Sequence, residues 1–489
     1  MHGDHARRSR LALAGVIGLA AANFLWQLGS SSYFVDEVLS VSAATVPLGD
    51  VLPNVSRSEL TPPGYFYLLH EWTYRLGSHA EWLTRLPSAI CGVLLVGAVY
   101  WLARLVAGSW AVALGGAALT AVSPFVLEYA QRAQGYVFVM LAVTVAVACA
   151  LAAERSDRRR TAWLITGAAA AVISLWVHYT AAFVVVVLCG WVATRRTLPI
   201  RARAAFVGTC SLAGAALVPV LVAQHRAIPV RTGVAASAGL AAVNVQRLLE
   251  TPFDGRVDAL GVLGMLLTVG AVVLVAVLVR RRAVTREWRL LLLLAAGEPL
   301  TLLLASAFGA HLALTRYAAV SAPFMIVVIA TALAAIVRLA RPRYLGTVLA
   351  AVAATSLAAV ALTGLLASHQ TRGFYLDARG VVAYLTGHTL GRDAVLAPSS
   401  PAIAVPLIYY GISRLHPAAT SEAAVAELLA QHTRRIWTIL ALPAGDHPTS
   451  AQLLASLARP ARALGYRAVS ARVFPGVSTL AVVLETPVS

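Results

Sequence analysis

Lysine is absent from this 489-residue chain, so its 39 Lys-plus-Arg positions are all arginine. Charge of either sign is scarce: 12% of residues are charged, against 59% hydrophobic. A soluble protein of this length needs far more polar surface, which excludes a globular domain and leaves an integral membrane protein. Cysteine is scarce too. Cys91, Cys149, Cys189 and Cys210 each sit inside an apolar run. They have no metal-ligand spacing and no framework of exposed pairs, so they read as small hydrophobes packed between helices. The net charge of +18 would suit nucleic acid. The arginines, however, come in short clusters between apolar runs, with no groove-reading or base-stacking motif beside them, and nucleic acid is excluded as a partner.

A membrane span needs about 20 mostly apolar residues. Runs that qualify lie near 10–29, 85–107, 109–127, 136–153, 161–177, 179–194, 204–223, 259–280, 289–308, 314–338 and 344–367, which predicts 11 transmembrane helices. The first follows Arg7, Arg8 and Arg10 and could pass for a signal peptide, but the many later runs favour an uncleaved helix. Arginine recurs after every second run: Arg104, then "ERSDRRR", "RRTLPIRAR", "RRRAVTREWR" and "RLARPR". By the positive-inside rule these face the cytoplasm, with the N-terminus inside and the C-terminus outside. The loop at 30–84 is then extracytoplasmic, as are those at 123–135, 178–179, 224–258 and 308–314.

Two outer regions should fold. In "TPPGYFYLLHEWTYRLG", Thr61 is a plausible N-cap and Pro62 fits the first helical position. Tyr65, Leu68, Leu69, Trp72 and Leu76 recur at helical spacing, as in an interfacial helix. The tail reads as strands in "DAVLAP", "RIWTILALP" and "STLAVVLET", with an amphipathic helix through Leu453, Leu454, Leu457, Ala461 and Leu464. The expected division is therefore a membrane domain over 1–368 and a small extracytoplasmic α/β domain over 369–489.

Polar groups on one face of a membrane protein carry the functional signal, because burial near lipid without a partner is costly. On the outer face these are Asp36, Glu37, Arg57 and Glu59, then Glu128, Arg132 and Gln134, then His178 and Tyr179, then His311, Arg316 and Tyr317. Arginine forks suit phosphate, and a carboxylate can take a proton from a nucleophile. Asp36 and Glu37, as paired carboxylates, are also candidate ligands for a divalent cation, although no complete ligand set is visible. Glu298, in "LLAAGEPLTLLL", reads as structural beside Pro299 and on the wrong side of its span for the site. Asn23 reads as an interhelical hydrogen bond, and His70 as a surface or packing residue.

"YFVDEVLSVSAATVPLGDVL", "LTPPGYFYLLHEWTYRLG" and "LTRLPSAICGVLLVGAVYWLARLVAG" resemble the opening of GT-C glycosyltransferases. The likeness is to the protein-mannosyltransferase and aminoarabinose-transferase type of bacterial membrane enzyme (glycosyltransferase family 39-like). It continues through "SPFVLEYAQRAQGYVFVM", "LWVHYTAAFVVVV" and "LTRYAAVSAPFMIVVIATAL" to "DARGVVAYLTGHTLGRDAVLAPSS" in the tail. The resemblance implies a plasma-membrane enzyme that takes a sugar from a polyprenyl phosphate and inverts its anomeric carbon. Mannose is the first expectation and a pentose such as arabinose the second; the acceptor would be an envelope glycan, a lipid or a protein.

The resemblance maps the base onto Asp36 with Glu37 beside it. Arg132, Arg316 and His178 then stabilise the leaving phosphate, with Tyr136, Tyr179 and Tyr317 as hydrogen-bond donors and Glu59, Tyr65 and Gln134 completing the site. Members of the type read Tyr-x-Gln-Glu-Ala-Arg-x-Tyr where this chain has Tyr129-Ala130-Gln131-Arg132-Ala133-Gln134-Gly135-Tyr136. The acid has become Arg132 and the arginine Gln134, and Glu59 only loosely matches the acid before the Pro-Pro pair. Two readings from other classes compete: a polyprenyl-linked lipid transporter or flippase, and a non-catalytic envelope scaffold.

Overall fold

The computed structural model describes residues 2–228, 259–280, 286–307, 315–339, 343–370, 376–390, 393–419, 435–442, 448–463, 466–474 and 480–487. The loop expected at 224–258 lies outside these from residue 229 onward, and so does the loop at 308–314 with His311.

Helices dominate. In chain order they are α1 (His2–Leu25), α2 (Val35–Ala44), α3 (Leu48–Ser58), α4 (Gly64–Leu76), α5 (Glu81–Ala107), α6 (Trp110–Val122), α7 (Pro124–Ala130), α8 (Tyr136–Arg155), α9 (Arg160–Val177), α10 (Ala181–Thr194), α11 (Ile200–Ala227), α12 (Ala259–Arg280) and α13 (Glu287–Ala307). A 3-10 turn, Thr315–Ser321, leads into α14 (Ala322–Leu339), and α15 (Arg343–Gln370) follows. Among the described residues each of the 11 apolar runs falls mostly on helix, the one at 109–127 being split between α6 and α7. Among the described residues, however, seven helices are long and apolar enough to cross a membrane, or eight if the bent α6–α7 pair is one span. The count of 11 therefore stands as an expectation.

The chain divides into two compact units. One contains Met1–Trp26, Ala43–Ser78 and Thr84–Leu366; the other contains Gln27–Ser42, His79–Leu83 and Ala367–Ser489. Two pieces of the 30–84 loop thus group with the tail.

Within the first unit, the run expected at 109–127 is broken. Ser123 ends α6 in extended conformation and accepts the Val126 amide through Oγ at 3.3 Å, and Pro124 opens α7 at its first turn. Proline lacks the amide that would continue α6, so the chain turns by 58°. Gln131 then fastens the end of α7 to the end of α1, donating from Nε2 to the Trp26 carbonyl at 2.8 Å. Asn23 donates to the Ala121 carbonyl at 3.0 Å, the interhelical bond its position suggests.

Helix α4 starts at Gly64, two residues after the expected start, and ends at Gly77 in the left-handed region with φ 60°. Its buried face is Tyr65, Phe66, Leu69, His70 and Thr73, while Leu68 and Leu76 are exposed. The face is rotated from the expected one because the helix packs on protein on its Phe66 side, against Ala43, Val51 and Val55. The Pro-Pro-Gly sequence has a steric reason. A Cβ on Gly64 would lie 2.5 Å from the Trp176 carbonyl oxygen of α9, so only glycine admits this approach.

The C-terminal part of the second unit is a small α/β domain. Its strands are β1 (Ala394–Ala397), β2 (Ala418–Ala419), β3 (Ile436–Ala441), β4 (Tyr466–Phe474) and β5 (Leu480–Pro487), in sheet order β2-β1-β3-β5-β4. The β1 pairings are parallel, and the β3–β5 and β4–β5 pairings antiparallel. Helices α16 (Ala378–His388) and α17 (Pro401–Tyr409) precede β2, and α18 (Ser450–Ala463) precedes β4. Period-two alternation sorts β5 between two cores. Leu480 and Val482 join Val381 and Leu385 of α16, while Ala481 and Val483 join Leu453 of α18.

Candidate active site

Within the first unit, the break at Ser123 delivers Glu128, Tyr129 and Arg132 to one wall. Arg132 is 5% exposed, lies over the Tyr129 ring at 5.1 Å and forms an ion pair with Glu128 four residues earlier. Arg132, which stands where the family motif has its acid, therefore takes a carboxylate partner from upstream of the motif.

A row of rings leads away from Arg132. Tyr129 meets Tyr136 at 4.7 Å, Tyr136 meets His178 at 5.0 Å, and His178 meets Tyr317 at 6.0 Å. Arg316 closes the row, its guanidinium 5.6 Å from the Tyr317 ring centre. Three regions distant in sequence contribute: α7 through the start of α8, the α9–α10 turn, and the 3-10 turn. Among the described residues this wall carries two guanidiniums against the one carboxylate of Glu128, an excess of positive charge.

His178 has the most informative hydrogen bonding. Its Nδ1 accepts the Thr180 amide at 3.3 Å and lies 2.9 Å from the Thr180 hydroxyl. An amide can only donate, so the neutral ring carries its proton on Nε2. That Nε2–H is buried and has no hydrogen-bond partner among the described residues. Burial first, and the Arg316 charge second, lower the imidazole to about 4, so the ring is a neutral donor near pH 7. A buried donor left unsatisfied costs about 1–3 kcal/mol. Among the described residues the Oε1 of Gln134 is also buried without a hydrogen-bond partner.

The other expected residues have different surroundings. Tyr65 packs edge-on against Phe138 at 5.4 Å, beneath Gly135, where a Cβ would meet Tyr65 at 3.4 Å. The Tyr179 hydroxyl donates to Gln224 Oε1 at 2.7 Å, and Gln224 Nε2 donates to the Thr61 carbonyl at 2.8 Å. Tyr179 thus secures the chain just before the Pro-Pro pair, and burial pushes its phenol up to about 12. Glu59 is half-buried and caps the end of α3, its amide donating to the Val55 carbonyl at 3.1 Å.

In the second unit, Glu37 is 1% exposed and its Oε2 accepts the Phe34 amide at 3.1 Å. This holds the start of α2, while Asp36 is half-buried in the same first turn. Among the described residues no three His, Cys, Asp or Glu side chains gather, so a cation at Asp36 and Glu37 has no third ligand of that kind.

Two residues were given too little weight by sequence reasoning. Arg85 of α5 is 2% exposed, one turn before Ser88, whose hydroxyl donates to the Gln134 carbonyl at 3.4 Å. An arginine at the start of an apolar run looks like a boundary marker, which hides it. Glu298 accepts the Ser321 hydroxyl at 2.9 Å and so ties α13 to the turn that carries Arg316 and Tyr317. The expectation that Glu298 lies on the wrong side of its span for the site concealed this link.

Residues 61–223 match the family described as dolichyl-phosphate-mannose-protein mannosyltransferase. No curated protein sequence matches the chain. ArnT from Cupriavidus metallidurans, in a structure bound to undecaprenyl phosphate, superposes with a TM-score of 0.51 at 13% identity, covering 96% of this chain and 97% of that one. The oligosaccharyltransferase of Archaeoglobus fulgidus, tethered to an acceptor peptide, gives a TM-score of 0.51 at 12% identity over 88% of this chain and 69% of that one. The chain thus shares its fold with these two proteins, and over residues 61–223 its sequence matches the dolichyl-phosphate-mannose-protein mannosyltransferase family.

Proposed function

We propose that this protein transfers a sugar from a polyprenyl-phosphate donor to a cell-envelope acceptor on the extracytoplasmic face of a bacterial plasma membrane. The observation that carries the reading is the buried Nε2–H of His178, without a hydrogen-bond partner among the described residues, in a ring row flanked by Arg132 and Arg316. A neutral donor beside cations suits a phosphate oxygen, which gains negative charge as the glycosidic bond breaks. The acceptor hydroxyl oxygen attacks C1 from the opposite side, the C1–O bond to phosphate breaks, and Asp36 takes the hydroxyl proton. The products are the inverted glycoside and free polyprenyl phosphate.

Mannose is the first sugar to test, with arabinose next; glycan, lipid and protein acceptors fit equally. Arginine clusters on alternate loops support an N-terminus inside and a C-terminal domain outside. Membranes containing the protein should transfer label from a polyprenyl-phosphate sugar. Asp36→Asn should lower the rate at least about 100-fold, the usual worth of a general base. Retained transfer in Asp36→Asn would remove Asp36 as the base. The broken span at Ser123 is the one observation favouring a polyprenyl-lipid transporter. Lipid movement without sugar transfer by the wild type would establish that reading instead.

A further inference from the structure

The tail segment "DARG" has no chemistry of its own, yet Asp377, Arg379 and Gly380 are each committed within the second unit. Asp377 caps α16, its Oδ1 accepting the Gly380 amide at 2.9 Å and the Ser32 hydroxyl at 3.2 Å. A Cβ on Gly380 would lie 2.2 Å from the Asp377 carboxylate, so glycine makes room for the cap. The Arg379 amide donates to Ser32 Oγ at 3.0 Å. Its guanidinium reaches the Ser30 carbonyl at 3.1 Å and Glu81 Oε1 at 2.9 Å.

Tyr410, just after α17, grips the same stretch. Its hydroxyl accepts the Tyr33 amide at 2.8 Å and donates to Glu81 Oε1 at 2.9 Å. The Tyr33 side chain is 1% exposed, meets the Tyr409 ring edge-on at 5.4 Å, and donates from its hydroxyl to the His79 carbonyl at 2.8 Å. Gly29 begins the stretch where a Cβ would lie 2.9 Å from Trp82. The Ser30 carbonyl, the Ser32 hydroxyl and the Tyr33 amide are therefore each bound by the C-terminal domain, and Asp36 follows three residues later.

We propose that the C-terminal α/β domain is a positioning element for the reaction: through Asp377, Arg379 and Tyr410 it clasps Ser30–Tyr33 and so sets the position of Asp36. Arg379 and Tyr410 are positioning residues and touch no substrate. The inference rests on the reading of Asp36 as the base. A misplaced base slows the chemical step while donor binding persists, so the effect falls on kcat and spares the KM for donor.

Tyr410→Phe and Arg379→Ala test this in the full-length protein, with Arg472→Ala in the same domain as the control. Tyr410→Phe keeps the ring and removes one hydroxyl, which protects the fold. Transfer from a polyprenyl-phosphate sugar should show kcat down roughly 10-fold or more in both variants, with donor KM within about twofold. Arg379→Lys, which offers no fork, should fall between the wild type and Arg379→Ala. Hydrogen exchange over residues 29–34 should speed up about 10-fold in Tyr410→Phe and stay unchanged in Arg472→Ala. Unchanged exchange would overturn the clasp itself. Faster exchange with an unchanged kcat would overturn the positioning role while leaving the transferase reading intact. A wild type inactive with every polyprenyl-phosphate sugar would overturn that reading, and the positioning role with it.

Discussion

The neutrality of His178 is a property that solution measurements can read. Its ring titrates near 4 in the folded protein and near 6.5 when unfolded. Between those values the unfolded chain holds the extra proton, so stability rises with pH, is complete above about 6.5, and is lost as pH falls towards 4. The difference corresponds to about 3 kcal/mol. The Tm of the detergent-solubilised wild type should therefore drop further between pH 6.5 and 4.5 than that of His178→Gln. Equal drops would mean that the ring is not buried as a neutral donor. His178→Gln also keeps an N–H donor, and should retain more transfer activity than His178→Ala. At this scale the residue types suggested an anion site, and the structure brings Arg132, Tyr136, His178, Arg316 and Tyr317 of that expectation into one row. What could not be read was the tautomer of His178, which is set by the Thr180 amide.

Helices follow from apolar runs, but their interruptions follow from single residues. The break between α6 and α7 comes from Ser123 and Pro124 inside a run that hydropathy treats as continuous. The rotated face of α4 likewise comes from protein packing, where periodicity had suggested an interfacial helix. Strand β4 was missed because "YRAVSARVF" interleaves arginine and serine with small residues and offers no apolar run. The glycines give this scale its test. Gly64→Ala would push Cβ against a backbone carbonyl of α9, which cannot yield without moving the helix end. Gly135→Ala meets the Val177 side chain at 2.9 Å, which can rotate aside. Overpacking of this kind costs about 1–3 kcal/mol. The Gly64→Ala protein should therefore show the lower Tm and the larger loss of transfer. Equal effects would show that α4 does not depend on its approach to Trp176.

For the molecule as a whole, the arginine clusters make a topological statement that a reporter can check. Alkaline phosphatase, which matures only outside the cytoplasm, should be active when fused after Ser489 and inactive when fused after Arg158. The opposite pattern would invert the orientation and take Asp36 to the cytoplasmic face. The change of composition near residue 369 was visible in the sequence. That residues 27–42 and 79–83 group with the tail was not, since no periodic signal links groups several hundred positions apart. Their union rests on polar contacts such as that between Tyr33 and Tyr410, 377 residues apart. This separation imposes an order on manufacture. A ribosome adding about 5–20 residues per second needs roughly 20–75 s to travel from Tyr33 to Tyr410. Through that interval the nascent chain threads its membrane helices with the Asp36 segment still unfastened. If the clasp positions Asp36, a truncated chain released early is delivered inactive, and the enzyme is switched on by the last quarter of its own synthesis.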